Sequence, residues 1–338
     1  MRSAVYPLSN ARSDNRLIIF KHVRKAPISR SDISKSAGIC KSSVTALTNQ
    51  MISQGLLTEI GSVDTGVGRR PVLLDIVADY GYAVGVSVGR DNFVCISDLK
   101  ANAIVCSDLD YGDEPSKAPQ KIKETIEEIL SLSNIPLKKC IGIGISISEC
   151  LSELGENIKQ ELERAFGLPA RVDTPTELLC TANASSCDGS SILISLGDEL
   201  LSAVCIDGKI LKGGNIEHFS IDCNGDACAC GSRGCLGGYV SDEALRKNGY
   251  STSPDNADTA EYIAEKLYCA LISVCNLLAL KRIIVCGTSE KNGEKLINAL
   301  RERLQSKAGI ELAWVELSFE TARNSVCSAI INEYFERQ

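Results

Sequence analysis

Residues 228–235 read CACGSRGC, and ten residues before Cys228 stands His218, one of only two histidines in the chain. Cysteine and histidine are the side chains that zinc prefers, and four of them complete a tetrahedron. Cys228 and Cys230 sit one residue apart on a tight turn, where Gly231 and Gly234 let the backbone fold around an ion. Three thiolates and an imidazole fill every coordination position, so no place is left for an activated water. The pattern therefore predicts a structural zinc site made of His218, Cys228, Cys230 and Cys235. Cys223, five residues before Cys228, stays open as a competing ligand.

GGNIEH at 213–218, followed by CACGSRGCLGGYVS at 228–241, resembles the zinc signature of the ROK family (repressor, open reading frame, kinase). That family contains bacterial sugar kinases and sugar-responsive transcriptional repressors. The four candidate ligands match its spacing without insertion. The resemblance implies an α/β chain with a two-lobed, actin-like (ribonuclease H-like) sugar-kinase fold.

The first part of the chain reads differently. DNRLIIFKHVRKA, at 14–26, places Leu17, Ile18, Phe20 and Val23 near helical spacing, and Pro27 closes that helix. Ser29 or Ser31 caps a second helix through Ile33 and Ala37, and Gly38 supplies a turn. A third helix spans about Lys41 to Gln54, with Val44, Leu47, Met51 and Ile52 as its apolar stripe and Gly55 as its stop. Two short apolar runs then flank a glycine-rich loop that ends in Gly68-Arg69-Arg70-Pro71. Two helices, a glycine turn, a third helix and a wing predict a winged helix-turn-helix over residues 1–78, with the third helix in a DNA major groove.

The candidate DNA contacts follow from that placement. Lys41, Ser42, Ser43, Thr45, Ala46 and Asn49 form the outward face of the third helix. Short polar groups there can approach base edges, Asn49 can pair with adenine, and Lys41 suits a phosphate. Arg69 and Arg70 suit the negative potential of a narrow minor groove. Residues 1–78 carry 11 Lys/Arg against 5 Asp/Glu, a balance of +6, which leaves −13 on the rest of a chain whose net charge is −7. A basic head on an acidic body points to a polyanionic partner. The segment SRSDISKSAGICKSSVTALTNQMISQGLLTE, with the GRRP that follows it, also resembles the head of ROK repressors. His22 reads as packing or surface.

From residue 79 the pattern mixes strands and helices twice over, which predicts one lobe at 79–190 and a second at 191–338. CIGIGISIS is a buried strand, and KAPQKIKETIEEILSLSN an amphipathic helix. The resemblance places phosphate, sugar and base contacts at definite positions, and this chain departs from them. Where family kinases carry Asp-x-Gly-Gly-Thr, it has Ser87-Val88-Gly89-Arg90-Asp91. The second phosphate loop is Gly197-Asp198-Glu199-Leu200-Leu201, with carboxylates where phosphate oxygens would sit. The Asn-Asp pair that supplies the general base aligns with Thr174 and Pro175, and proline cannot take a proton. Asp173 and Glu177 lie nearby. The sugar-holding glutamates align with Asn215 and Gly237, with Glu217 as a substitute only if it moves, and the late glycine-rich turn is reduced to Gly287-Thr288-Ser289.

The expectation is therefore a kinase-inactive, DNA-binding repressor of the ROK type that acts on a double-stranded operator. It would be a homodimer or higher homo-oligomer, with a sugar-related or other small-molecule effector or none. Two rivals stand: a sugar kinase acting on a hexose or amino sugar with ATP, and a winged helix that binds another protein. No apolar run is long enough to span a membrane, and MRSAVYPLSNARSDN lacks the apolar core of a secretory signal, so a cytoplasmic location is expected. Most of the sixteen cysteines are then expected to be reduced thiols rather than a disulfide framework.

Overall fold

The computed structural model describes residues 8–62, 71–89, 91–112, 114–184, 189–207, 209–288, 293–307 and 309–337. The chain divides into two compact units, residues 1–172 with 326–338, and residues 173–325.

The first unit opens with α1 (Leu8–Lys25), β1 (Ile28–Ser29), α2 (Arg30–Ala37), α3 (Lys41–Ser53), β2 (Leu57–Ser62) and β3 (Val72–Ile76). Ser29 is the cap of α2, because its Oγ accepts the backbone N–H of Asp32 at 3.2 Å. Gly38 follows α2 at φ 66° and Gly55 follows α3 at φ 77°, left-handed turns that glycine adopts without strain. Val44, Leu47 and Met51 face inward from α3, together with Thr48; Ile52 is only half-buried. β3 pairs antiparallel with both β1 and β2, giving a three-stranded sheet.

The rest of that unit contains β4 (Tyr82–Val88), β5 (Phe93–Asp98), β6 (Ala103–Asp108), α4 (Ala118–Leu132), β7 (Cys140–Ile147), α5 (Ser152–Phe166) and β8 (Ala170–Asp173). The sheet order is β6-β5-β4-β7-β8, with β4 antiparallel to β5 and parallel to β7. On one face Val84, Val86, Ile143 and Ile145 pack with Ile122, Ile126 and Ile129 of α4 and with Ile158 and Leu162 of α5. Helical spacing on α4 meets two-residue alternation on the strands, which is why both elements bury one face.

The second unit contains α6 (Pro175–Ala184), β9 (Ser190–Ser195), β10 (Leu201–Ile206), β11 (Lys209–Ile210), α7 (Gly237–Val240), α8 (Asp242–Lys247), α9 (Ala257–Leu278), β12 (Arg282–Thr288), α10 (Glu294–Arg303) and β13 (Glu311–Leu317). Its sheet order, β11-β10-β9-β12-β13, repeats the first sheet's order strand for strand. Again the first two strands are antiparallel and the fourth lies parallel to the first. This duplicated topology is the actin-like, two-lobed sugar-kinase fold that the family resemblance implied.

α11 (Phe319–Glu336) closes the chain, and its later residues belong to the first unit. There it lies on the sheet face opposite α4. A Cβ on Gly144 would stand 2.5 Å from the Val326 carbonyl oxygen, and one on Gly142 would stand 2.7 Å from Ile330. Glycine on β7 thus lets the helix backbone approach the sheet. α11 also holds α1: Phe20 stacks on Phe335 with ring centroids 3.8 Å apart, and both rings are buried. Arg24 donates to Ser328 Oγ and, at 3.3 Å, to Asn332 Oδ1. Burial pulls the Arg24 guanidinium down to about 10, against the opposing pull of Cys327 and Asp98.

The units differ from the expected lobes of 79–190 and 191–338. The division falls at 172/173 because α6 packs on β9 and β10, and 326–338 return to the first unit through the glycine-lined seat. α1 begins at Leu8, before the expected start at residue 14. Among the described residues, no helix is long and apolar enough to cross a membrane.

Candidate metal centre and nucleic-acid interface

The metal candidate grows from two local structures. A 3-10 turn over Ile216–His218 presents the imidazole; it is anchored by buried Ile216, whose backbone N–H donates to Ser202 Oγ at 2.9 Å. The knuckle of 228–235 is closed by Cys228 N–H donating to the Ser232 carbonyl at 2.8 Å and Gly231 N–H to the Cys228 carbonyl at 3.0 Å. Gly231 at φ 90° and Gly234 at φ 59° take the left-handed conformations this turn needs. An antiparallel bridge between Ser220 and Cys235 brings the two pieces together.

Their donor atoms converge. The ligand atoms of His218, Cys228, Cys230 and Cys235 all lie within 4.8 Å of one another. Cys228 Sγ is 3.6 Å from His218 Nδ1, and Cys230 Sγ is 3.6 Å from Cys235 Sγ. Tetrahedral zinc with bonds of about 2.3 Å would set two sulfurs about 3.8 Å apart, so the residues fit that ion. Cys223 is exposed and lies outside the group.

Protons alone leave the cluster mismatched. The Ser232 backbone N–H, followed by the Cys235 thiol, holds Cys230 down at about 6. Desolvation, followed by the Cys228 and Cys230 sulfurs, pushes Cys235 up to about 12. A divalent cation at the centre would remove that conflict by making three thiolates favourable at once. Around the knuckle, Tyr239 Oη donates to Asp222 Oδ2 at 3.4 Å, and Lys266 Nζ lies 5.8 Å from the Tyr239 ring and 5.2 Å from that of Tyr262. This support was not read from the sequence.

The positions aligned with kinase chemistry do other work. Thr174 and Glu177 form a capping box at the start of α6: Glu177 N–H donates to Thr174 Oγ1 at 3.3 Å, and Thr174 N–H to Glu177 Oε2 at 3.0 Å. Pro175 is the first residue of that helix, where its missing N–H is harmless. Lys212 engages the other Glu177 oxygen at 2.6 Å. Glu217 is half-buried and accepts from Ser202 Oγ at 2.7 Å. Asp198 and Glu199 are exposed between β9 and β10. Ser87 is buried near the end of β4, whereas Arg90 and Ser289 lie outside the described residues.

On α3, Lys41, Ser42, Thr45, Ala46 and Asn49 are exposed, and Ser43 is half-buried. Two of them are less available than the sequence suggested. Thr45 Oγ1 donates back to the Lys41 carbonyl at 2.8 Å, and Asn49 Oδ1 accepts from Arg30 Nη2 at 3.1 Å. Arg30, which sequence reasoning passed over, also donates to Thr48 Oγ1 at 2.9 Å and pairs with Glu59 at 2.8 Å. It ties α2, α3 and β2 together and aims Asn49. Hydrogen bonds from Ser42 and Ser43 hold the exposed Cys40 thiol, at the cap of α3, down at about 7. Arg69 and Arg70 lie outside the described residues.

The ROK family profile matches residues 83–325. The chain is 27% identical over 263 residues to the xylose repressor of Caldicellulosiruptor bescii; the match covers 68% of this chain and 64% of that protein, just under two thirds of its length. It is 22% identical over 340 residues to the DNA-binding transcriptional dual regulator NagC of Escherichia coli K12, covering 83% of this chain and 82% of that protein. Among solved structures, a ROK family transcriptional regulator described as a homolog of the E. coli MLC protein superposes with a TM-score of 0.71 at 21% identity, covering 97% of both chains. A ROK hexokinase from Thermus thermophilus gives a TM-score of 0.60 at 16% identity, covering 73% of this chain and 97% of its own.

Proposed function

This chain belongs to the ROK family, and from that premise we propose that it is a kinase-inactive transcriptional repressor that reads an operator in double-stranded DNA. The observation that carries the proposal is the N-terminal assembly of three helices and a three-stranded antiparallel sheet, with short polar side chains exposed along α3. That arrangement suits a winged helix-turn-helix whose third helix enters the major groove. Fold coverage points the same way, since the solved regulator spans 97% of the chain and the hexokinase only 73%.

In this reading residues 1–78 are the reading head. Lys41 meets phosphate, while Ser42, Ser43, Thr45 and Asn49 face base edges, and Arg69 and Arg70 enter the minor groove from the wing. The body assembles as a homodimer, which favours a two-fold operator. Zinc held by His218, Cys228, Cys230 and Cys235 fixes the knuckle and performs no chemistry. A carbohydrate-related effector is the first class to test, because relatives are named for xylose and N-acetylglucosamine. The capping box at Thr174 and Glu177 supports the loss of phosphotransfer, because a base used to start a helix and paired with Lys212 is not placed to take a sugar proton.

Selection from random duplexes at moderate salt tests the reading. The wild-type chain should enrich one sequence family, and Asn49→Ala should lower affinity for it by roughly ten-fold or more while relaxing preference at one base pair, worth about 1–3 kcal/mol. Lys41→Ala should weaken binding to all duplexes alike and reduce the salt dependence. Enrichment of no sequence, or turnover of ATP with a hexose or amino sugar, would overturn the proposal.

A further inference from the structure

The proposed metal centre uses three of the chain's sixteen cysteines. Another three converge in the first unit. Cys95 of β5 stands directly opposite Cys106 of β6 in the antiparallel register. Directly opposed residues in such a ladder have Cα atoms about 4.5–5.5 Å apart, within the range a disulfide spans. On its other side, Cys95 Sγ lies 3.6 Å from Cys327 Sγ of α11, a van der Waals contact between sulfurs. Gly85 makes room for this meeting: a Cβ there would stand 2.9 Å from Cys95 Sγ and 2.8 Å from Cys327 Sγ. Cys106 is exposed on an edge strand, whereas Cys95 and Cys327 are wholly buried. The three sulfurs thus run from solvent to the interior, ending one residue before Ser328, which accepts from Arg24 of α1.

We propose that Cys95, Cys106 and Cys327 form a peroxide-oxidisable thiol site that ends in a Cys95–Cys327 disulfide. Of these three, Cys106 alone is exposed to the oxidant. Its thiolate attacks hydrogen peroxide, giving a sulfenic acid and releasing hydroxide. The Cys95 sulfur attacks that sulfenic sulfur, and its proton leaves with the hydroxyl as water. Cys327 then attacks the Cys95 sulfur by thiol–disulfide exchange, and Cys106 departs as a thiol. Overall, two thiols and one peroxide become one disulfide and two waters. The bond joins β5 to the helix that seats α1, so oxidation acts on the anchor of the N-terminal head. The site does not depend on whether that head binds DNA.

The test treats the full zinc-loaded chain with a small excess of hydrogen peroxide, follows zinc content, and maps disulfides by mass spectrometry. A peptide pair linking Cys95 to Cys327 should appear, preceded by one linking Cys95 to Cys106, and dithiothreitol should reverse both. Cys106→Ser, an exposed replacement, should slow formation of the Cys95–Cys327 bond at least ten-fold at unchanged zinc content. Cys327→Ser should stop the reaction at Cys95–Cys106. If Cys106 proceeds to sulfinic acid while Cys95 and Cys327 remain thiols, the proposal is wrong. A bond that stops at Cys95–Cys106 in the unmutated chain overturns the transfer to Cys327, and equal rates in the Cys106→Ser variant overturn its role as the entry point.

Discussion

Replacing Cys235 by serine is expected to cut bound zinc from about one equivalent per chain to a small fraction of that, and to unfold the knuckle with it. Cys235 is the ligand on which the effect should be largest. It is buried, it bridges to Ser220, and its Sγ lies against the His218 carbonyl at 3.5 Å. The next residue, Leu236, is fully buried in the core that also contains Val240 and Leu267. Loss of a bound ion would therefore remove a constraint adjoining the second unit's core. Loss of a structural metal belongs among the substitutions that cost more than about 4 kcal/mol. Metal analysis and thermal unfolding, with and without chelator, check this. The pH dependence has a definite sign: ligands must be deprotonated to bind, so acidification should release the metal and a rise in pH should not. Cys223→Ser should leave metal content unchanged, since that thiol lies outside the ligand group.

Removing the Phe335 ring should have the second large effect. Phe335→Ala deletes a fully buried aromatic that stacks on Phe20, and such truncations cost about 3–5 kcal/mol. Because that contact joins α1 to α11, the loss should loosen the head as well as the core, and operator affinity should fall with it. Arg24 provides the contrast. Burial lowers its guanidinium to about 10, which means that the folded state at neutral pH carries an unfavourable desolvation of the charged form. Replacing such a group by an apolar one of similar size is often neutral. Arg24→Met should therefore leave stability within about 1 kcal/mol. Arg24→Ala, which loses the same two hydrogen bonds and also deletes the packed stem that Met retains, should cost about 2–4 kcal/mol. Denaturant unfolding of the three variants separates packing from charge. Equal losses for Met and Ala would show that the guanidinium itself stabilises the clasp.

Local features were the legible ones. The four candidate metal ligands lie within eighteen residues, so their spacing carries the candidate site. Gly38, Gly55 and a serine cap at Ser29 or Ser31 announced the turns of the head, because each acts on its own backbone neighbours, and the structure places the cap on Ser29. What escaped the sequence reading was mainly long-range. No pattern near Phe20 or Arg24 points to residues more than three hundred positions later, and the glycines that admit α11 read simply as part of a buried strand. That contact is why the head belongs to one compact unit with its neighbouring lobe. Arg30 carried no signal in the sequence, yet its guanidinium reaches Thr48, Asn49 and Glu59. One miss was avoidable: Thr174-Pro175-Thr176-Glu177 is a helix-start signature in its own right, and it explains the residues standing where a catalytic pair would be.

The most direct measurement is the ratio of two affinities: that of the zinc-loaded chain for its selected duplex, and that for a scrambled duplex of the same length, both at about 0.15 M salt. A reading head on an unreactive body predicts a ratio of at least about a thousand, the range of specific over non-specific binding. A ratio near one, with both affinities falling equally as salt rises, would mean that the head is merely basic and that the account is wrong.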